Sequence, residues 1–415
     1  MLTRGWRARL ALLAALGVVW LAASPGPASA AVRPGGRGLA GSAAADGIRD
    51  NQQWVLDMLD VRAAWRVAAG RGITVAVIDS GVNPGVSDLA GSVLTGPDYT
   101  SVDTSQSSGE WGVHGTWMAS LIAGHGHAGG GSGVVGVAPE SRILSIRVIP
   151  DRGDPHYGQY EHEQEPLIQR SLADGIGYAV AHGAQVISMS IGYSAPSRAV
   201  RQALLTAYQH GVVVVASAGN SGDQPGSGGA GEAPASFPAD YPRVISVAAV
   251  DSSGDVAGFS SDNLSVQVAA PGVSVPAQGR DGQYWWVSGT SPACALVAGV
   301  AALIKSGYPD LAPNLVADAL TTTTTHRPAG GYDSRVGFGI VNAAAALAAA
   351  GKLGRGQAGQ ASLAATARYR GWPAAEPVGP RSSGRLVLFS LFALLSLALA
   401  AAAAIRLAVL GRANR

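Results

Sequence analysis

The chain has 415 residues, 47% of them hydrophobic and 13% charged, which is ample for one large or two ordinary cores. Its formal net charge of +2 hides a division: residues 32–350 hold 17 Lys and Arg against 26 Asp and Glu, a net −9, while residues 351–385 hold 6 against 1, a net +5. An acidic main body disfavours nucleic-acid binding, and the single cysteine, Cys294, excludes an intramolecular disulfide.

Residues 1–30 read as a secretory signal peptide. Arg4, Arg7 and Arg9 precede an apolar run from Leu10 to Ala23, and Ala28-Ser29-Ala30 offers a small-residue cleavage site. The run is shorter than the roughly 20 residues that a bilayer span needs. Residues 31–50, rich in Gly, Ala and Arg without periodicity, read as a flexible mature N-terminus.

A globular domain is expected over 51–350. It opens with an apolar-patterned segment from Asn51 to Trp65 that ends before Gly70. Continuous apolar runs follow at 73–78, 143–149, 186–191, 212–216 and 244–250, with helical patterns between them at 167–182 and 197–210. Runs of this kind suit strands buried on both faces, and their alternation with helices predicts an α/β fold with a mostly parallel central sheet. Functional groups in such folds gather at the carboxyl ends of the strands, where Asp79 and Asn220 stand.

His114 opens a short apolar helix that stops at Gly124. His125 and His127 sit too close together in a Gly-rich loop, with no obvious further ligands, to be read as a metal site. The polar insertion from Pro150 to Pro166, which contains Asp151 and Asp154, reads as a solvated loop or a loop at the edge of a cleft. A second loop, Gly- and Pro-rich, runs from Ser221 to Ala235.

At Gly289-Thr290-Ser291-Pro292 a loop becomes a helix. Ser291 suits the helix start as a cap, and Pro292 suits a first-turn position whose N–H has no intrahelical partner. Leu296, Val297, Val300, Leu303 and Ile304 then recur at helical spacing among small residues, with Cys294 as a buried apolar member. Residues 351–385 read as a flexible Gly/Pro/Arg-rich linker, and 386–405 as one transmembrane helix, twenty residues without a charge. The short tail 406–415 is basic, as positive-inside placement requires of a cytoplasmic end.

Amide cleavage needs a nucleophile, a base, a carboxylate that orients the base and donors for the oxyanion. Ser291, His114, Asp79 and Asn220 supply those types in separate settings, with the triad in the order Asp, His, Ser. The surrounding motifs carry more than the order. Val77-Ile78-Asp79-Ser80-Gly81, His114-Gly115-Thr116, Gly289-Thr290-Ser291, Ser217-Ala218-Gly219-Asn220 and Gly337-Phe338-Gly339-Ile340-Val341-Asn342 together resemble the subtilisin-like (S8 family) serine proteases.

The resemblance implies that Ser291 attacks the scissile carbonyl, that His114 moves its proton, and that Asp79 fixes the imidazole tautomer. It implies that Asn220 holds the oxyanion together with the Ser291 N–H. It also implies that Ser190, Ile191 and Gly192 on one side, and Ser217, Ala218 and Gly219 on the other, flank an extended peptide. Many members bind calcium, but no convincing set of oxygen ligands can be assembled from this sequence, and no cofactor is expected.

A finer resemblance is to mycosins, the membrane-anchored subtilases of type VII secretion systems. The order of signal, protease domain, linker, single membrane helix and short tail is similar, as is the entry from Gln52 to Leu56. Pro292 after the Ser motif and the absence of cysteine pairs depart from that subfamily. The resemblance implies a cell-membrane endopeptidase with its catalytic domain on the extracytoplasmic side. Its partners would be exported protein or peptide substrates, the membrane and a type VII secretion membrane complex. A mainly structural subunit of that complex, and a degradative protease released by linker cleavage, remain open at this point.

Overall fold

The structure, a computed structural model, describes residues 42–127, 132–158, 165–222 and 233–364 and the single positions 396, 402 and 406. The chain divides into two compact units, residues 1–359 and 360–415, and the fold described below is that of the first. Of the second unit, residues 360–364 and the three single positions are helical. The expected signal peptide, most of the expected linker and nearly all of the expected membrane helix and tail lie outside the described residues.

Seven strands form one parallel sheet: β1 (Thr74–Asp79), β2 (Val93–Asp98), β3 (Arg142–Arg147), β4 (Val186–Met189), β5 (Val213–Ser217), β6 (Val244–Val250) and β7 (Val266–Pro271). Their order is β2-β3-β1-β4-β5-β6-β7, with Asp79 in register with Arg147 across the β1–β3 pair. A separate antiparallel pair joins β8 (Val275–Gln278) to β9 (Tyr284–Val287).

Alternation along each strand sends side chains to two cores. On one face Val75, Val77, Val186, Val213, Val215, Ile245 and Val247 pack in one cluster with α3 (Val113–Ala123) and α6 (Thr290–Gly307). The same cluster takes in residues of α1 (Ser42–Met58), α2 (Val61–Trp65) and α7 (Pro313–Thr322). On the other face Ala76, Ile78, Ile187, Met189, Val214 and Ala216 pack with α4 (Glu165–Ala181) and α5 (Arg198–Gln209). The expected α/β architecture, with helices on both faces of a parallel sheet, is the one observed.

α6 is the centre of the first core, with every residue from Thr290 to Lys305 buried. Among the described residues it is the helix long and apolar enough to cross a bilayer, yet 89% of it is buried within the protein. Its small residues let it lie close to its neighbours: a Cβ on Gly299 would stand 2.6 Å from Val137 Cβ. It is therefore a core helix and not a span.

Two boundaries differ from the sequence reading. The expected flexible N-terminus, 31–50, overlaps α1, where Ile48 is buried and Arg49 donates to Gly133 O (3.0 Å) and Ser132 O (2.8 Å). The expected linker from 351 overlaps α8 (Ala343–Ala364): Leu353 packs against the core, and the Gln357 side chain bonds to Ala312 N–H and Asp310 C=O. Alanine-rich sequence sustains the helix despite its glycines, and docking against the domain supplies what periodicity did not reveal.

Candidate active site

Four strand ends build the site at the carboxyl edge of the sheet. β1 ends in Asp79, buried to 1% exposure, whose Oδ1 accepts from the Ser80 N–H at 2.7 Å and lies 2.8 Å from His114 Nδ1. Its Oδ2 is also buried and has no donor among the described residues. His114 is the second residue of α3, and its ring is 19% exposed and forms a T-shaped pair with Trp117, 6.2 Å between centroids.

The glycine after His114 lets α3 approach β1 closely. A Cβ on Gly115 would stand 2.1 Å from Gly81 O, and its N–H donates to Ser80 Oγ at 3.0 Å. Thr116, buried, accepts from the Asn83 N–H at 2.9 Å and donates to Gly112 O. The loop after β1 and the first turn of α3 are thus one unit.

α3 begins after Gly112 with no cap from its own chain neighbourhood. The missing acceptor comes from the segment after β3: Asp151 takes the Val113 N–H on Oδ2 (2.8 Å) and the His114 N–H on Oδ1 (2.9 Å). These are first-turn donors without intrahelical partners, at the positive end of the helix dipole.

α6 repeats the arrangement. Its N-cap is Gly289 at φ 152°, and Ser291 is the second helical residue, so Ser291 does not cap the helix as the sequence suggested. The side chain of Asn220, three residues past the end of β5, takes that role: Oδ1 accepts from Thr290 N–H (2.8 Å) and Thr290 Oγ1 (2.9 Å). Thr290 Oγ1 in turn accepts from the Gly219 N–H at 3.2 Å. With its oxygen occupied, the Asn220 amide has its NH₂ group left to donate, at the first turn of α6.

Asp79 and His114 are hydrogen-bonded, and Asn220 is bonded to the residue before Ser291. The described residues show no direct hydrogen bond between Ser291 Oγ and His114, a contact that in resting active sites is often long and tightens with substrate. The two halves meet because α3 packs on α6. Ser190, after β4, donates to Ser291 C=O at 3.3 Å. Ile191, Ser217 and Ala218 are buried, while Gly192 is exposed and Gly219 half-buried. Backbone at the two glycines, rather than side chains, is therefore what this edge exposes.

The electrostatics raise the affinity of the imidazole for a proton. Burial works against the charged ring, but the charge and hydrogen bond of Asp79, with Asp151 behind them, outweigh it and hold His114 above its ordinary value. Burial pushes the Asp151 carboxyl up to about 6, against the pull of the two helix N–H groups and of His114. Cys294, fully buried one turn into α6, is pushed up to about 12 by burial, which leaves it a thiol rather than a competing nucleophile.

Asp151 and Thr290 are the site residues the sequence reading did not single out. The signal for Asp151 was its place just past a strand end, obscured by the run of polar residues around it. His125 and His127 have other partners: His125 bonds to backbone carbonyls, and His127 lies 2.8 Å from Tyr284 Oη and 3.4 Å from the buried Asp88. Among the described residues no group of three or more His, Cys, Asp or Glu could hold a metal ion.

Residues 70–339 match the subtilase family. Subtilisin DY of Bacillus licheniformis is 36% identical over 277 residues, covering 67% of this chain and 91% of the relative. The crystal structure of MycP1 from Mycobacterium smegmatis superposes with a TM-score of 0.59 at 30% identity, covering 71% of this chain and 84% of that one. The MycP3 protease from the type VII (ESX-3) secretion system gives 0.59 at 32% identity, covering 71% and 87%.

Proposed function

The chain belongs to the subtilase family of serine peptidases, and on that premise we propose that Ser291 is its nucleophile, His114 its base and Asp79 the carboxylate that orients the base. The observation that carries the assignment is the 2.8 Å contact between Asp79 Oδ1 and His114 Nδ1. It directs the neutral tautomer so that Nδ1 carries the proton and Nε2 is free to accept one.

Ser291 Oγ then attacks the scissile carbonyl as His114 takes its proton, and the tetrahedral oxyanion is held by the Asn220 NH₂ and the Ser291 N–H. Collapse returns the proton to the leaving amine and gives an acyl-enzyme, which a water activated by the same imidazole hydrolyses. An extended substrate lies between 190–192 and 217–219.

The setting is the outer face of a membrane. Support comes from the signal-like residues 1–30, the uncharged residues 386–405 and the likeness to proteases of type VII secretion. On this reading the enzyme is a membrane-anchored endopeptidase that cleaves a small set of exported proteins in association with such a secretion system.

A fluorophosphonate probe tests the chemistry: the full chain is expected to be labelled and Ser291→Ala not, and an unlabelled wild type beside a labelled subtilisin would count against the assignment. Comparison of exported proteins with and without intact Ser291, by their new N-termini, tests the biology. Secretion fully restored in a deletion strain by Ser291→Ala, with no N-terminus changed, would point instead to a structural subunit.

A further inference from the structure

We propose that Asp151 is a positioning residue for the base: its carboxylate fixes the first turn of α3 from outside the helix, through the backbone N–H of His114 itself. The inference rests on the reading of His114 as the base.

The geometry is that of a built cap. Asp151 is 7% exposed and spends both oxygens on consecutive N–H groups, one of them that of His114 itself. A carboxylate is kept in such surroundings only where hydrogen bonds and charge compensate it. Gly112, in left-handed conformation at φ 73°, brings no side chain of its own to the helix end. Removal of the Asp151 carboxylate therefore leaves those two donors without an acceptor among the described residues.

The segment that carries Asp151 is itself anchored. Asp154 N–H donates to Asp151 C=O at 3.0 Å, which closes a turn. Asp154 Oδ2 accepts from Thr104 Oγ1 (2.6 Å) and from Arg147 Nη2 (3.1 Å), and Arg147 Nη1 reaches Asp98 Oδ2 at 2.6 Å. Arg147 is 1% exposed and in register with Asp79 on the neighbouring strand. A rigid connection thus runs from the sheet through Arg147, Asp154 and Asp151 to the backbone of His114.

The charged groups that act on the imidazole are Asp79 from β1, and Asp151 and Arg152 from the segment after β3; the two carboxylates favour its protonation and Arg152 opposes it. Loss of the Asp151 charge lets His114 give up its proton at lower pH, while loss of the cap loosens the ring's position. The first effect is one that a purely structural residue would not have.

The test is the rate constant for fluorophosphonate labelling of the full chain in detergent, measured against pH. In Asp151→Asn the pH-independent rate is expected to fall about tenfold, the scale of a small misplacement of a base. The acidic limb is expected to move to lower pH by roughly half a unit, the scale of one nearby charge in a partly solvated site. Asp151→Ser serves if the Asn variant does not fold. Arg152→Gln, an exposed change, is expected to move the limb the other way. A labelled wild type whose limb stays in place in Asp151→Asn or Asp151→Ser overturns the role of Asp151 alone. A wild type that is not labelled at any pH, beside a labelled subtilisin, overturns the assignment of Ser291 and His114.

Discussion

Asn220 Oδ1 accepts two hydrogen bonds from Thr290, from its N–H at 2.8 Å and from its hydroxyl at 2.9 Å. That pair fixes which way the amide faces, so its NH₂ group is presented beside the first turn of α6. Asp151 and α3 stand in the same relation. In both cases a helix that starts after a glycine receives its cap from a side chain beyond a neighbouring strand, and the second position of the helix is a proposed catalytic residue, His114 or Ser291. The caps set the site, because they couple the two helices to the sheet.

Asn220→Ala is expected to lower turnover by about 10²–10³, a magnitude carried over from subtilisin, with little change in KM. Thr290→Val removes the hydroxyl bond but keeps the backbone one, and a loss of about tenfold is expected, the size of one neutral hydrogen bond of ~1 kcal/mol or slightly more. Peptide hydrolysis by the two variants checks both. Equal losses would show that the orientation of the amide depends entirely on the hydroxyl.

Gly115→Ala is expected to damage the site without touching a reacting group. Its Cβ would stand 2.1 Å from Gly81 O and 3.3 Å from Asp79 Cβ, so α3 must move away from β1. Overpacking of this kind costs typically ~1–3 kcal/mol of stability, and displacement of the base by about 1 Å costs roughly 10² in rate. Denaturant midpoint and labelling rate, measured together, separate the two. A variant that labels at the wild-type rate would show that the helix can give way elsewhere.

The strands that place Asp79, Ser190 and Asn220 were legible because β1, β4, β5 and β6 are buried on both faces and read as continuous apolar runs. β2 was not: it lies at the edge of the sheet, half-exposed, and contains Gly96 and Pro97. Gly96 is required there, since a Cβ would meet Ser145 O at 2.5 Å. Ser291 was legible as a residue at a helix start, but the cap of that helix by Asn220, seventy residues before Thr290, was not. Asp151 was hidden for the same reason. In sequence it is one carboxylate among several in a polar stretch, and the N–H groups that hold it lie 37 and 38 residues away. Alternation and capping rules see local partners only.

The pH dependence of activity follows from Asp79. Because His114 is held above its ordinary value of 6.5, the acidic limb of kcat/KM is expected to have its midpoint above 6.5, where the base loses its proton. Asp79→Asn removes the negative charge and disturbs the tautomer, so the limb is expected to move to lower pH and the plateau to fall by about 10⁴. A pH profile of probe labelling checks both shifts, and a limb that stays in place would mean that another group titrates there.

Arg147→Ala tests the anchor beneath the site. The guanidinium bonds Asp98, Thr100 and Asp154, and the Asp154 side chain is fully buried. Removal of one partner of a buried pair leaves an uncompensated charge, at a cost of about 3–5 kcal/mol. Arg147→Lys is expected to recover only part of it, since one ammonium cannot reproduce a planar fork that reaches separate acceptors. Chemical denaturation in a Ser291→Ala background, which prevents self-digestion, gives the measurement. A change under 1 kcal/mol would show that water replaces the guanidinium.

Asp151 carries the opposite signature in stability. Its carboxyl titrates near 6 in the folded protein against an ordinary 3.8, so the folded state binds the proton more tightly than the unfolded state. The group's contribution to stability is therefore fully present below pH 3.8 and lost as pH rises through about 6. The difference corresponds to about 3 kcal/mol at 1.36 kcal/mol per pH unit, with no discount for screening at a buried position. Asp151→Asn does not titrate, so relative to wild type it is expected to gain stability by up to that amount between pH 3.5 and pH 7.5. His114 adds to the same trend. Its raised value stabilises the wild type at low pH, and it falls back once Asp151 is neutralised. Denaturation of both proteins in the Ser291→Ala background at the two pH values reads the difference directly, and parallel curves would sink the argument. If the gain appears together with the loss of labelling rate, a charge that costs the fold stability near neutral pH is retained for what it does to His114.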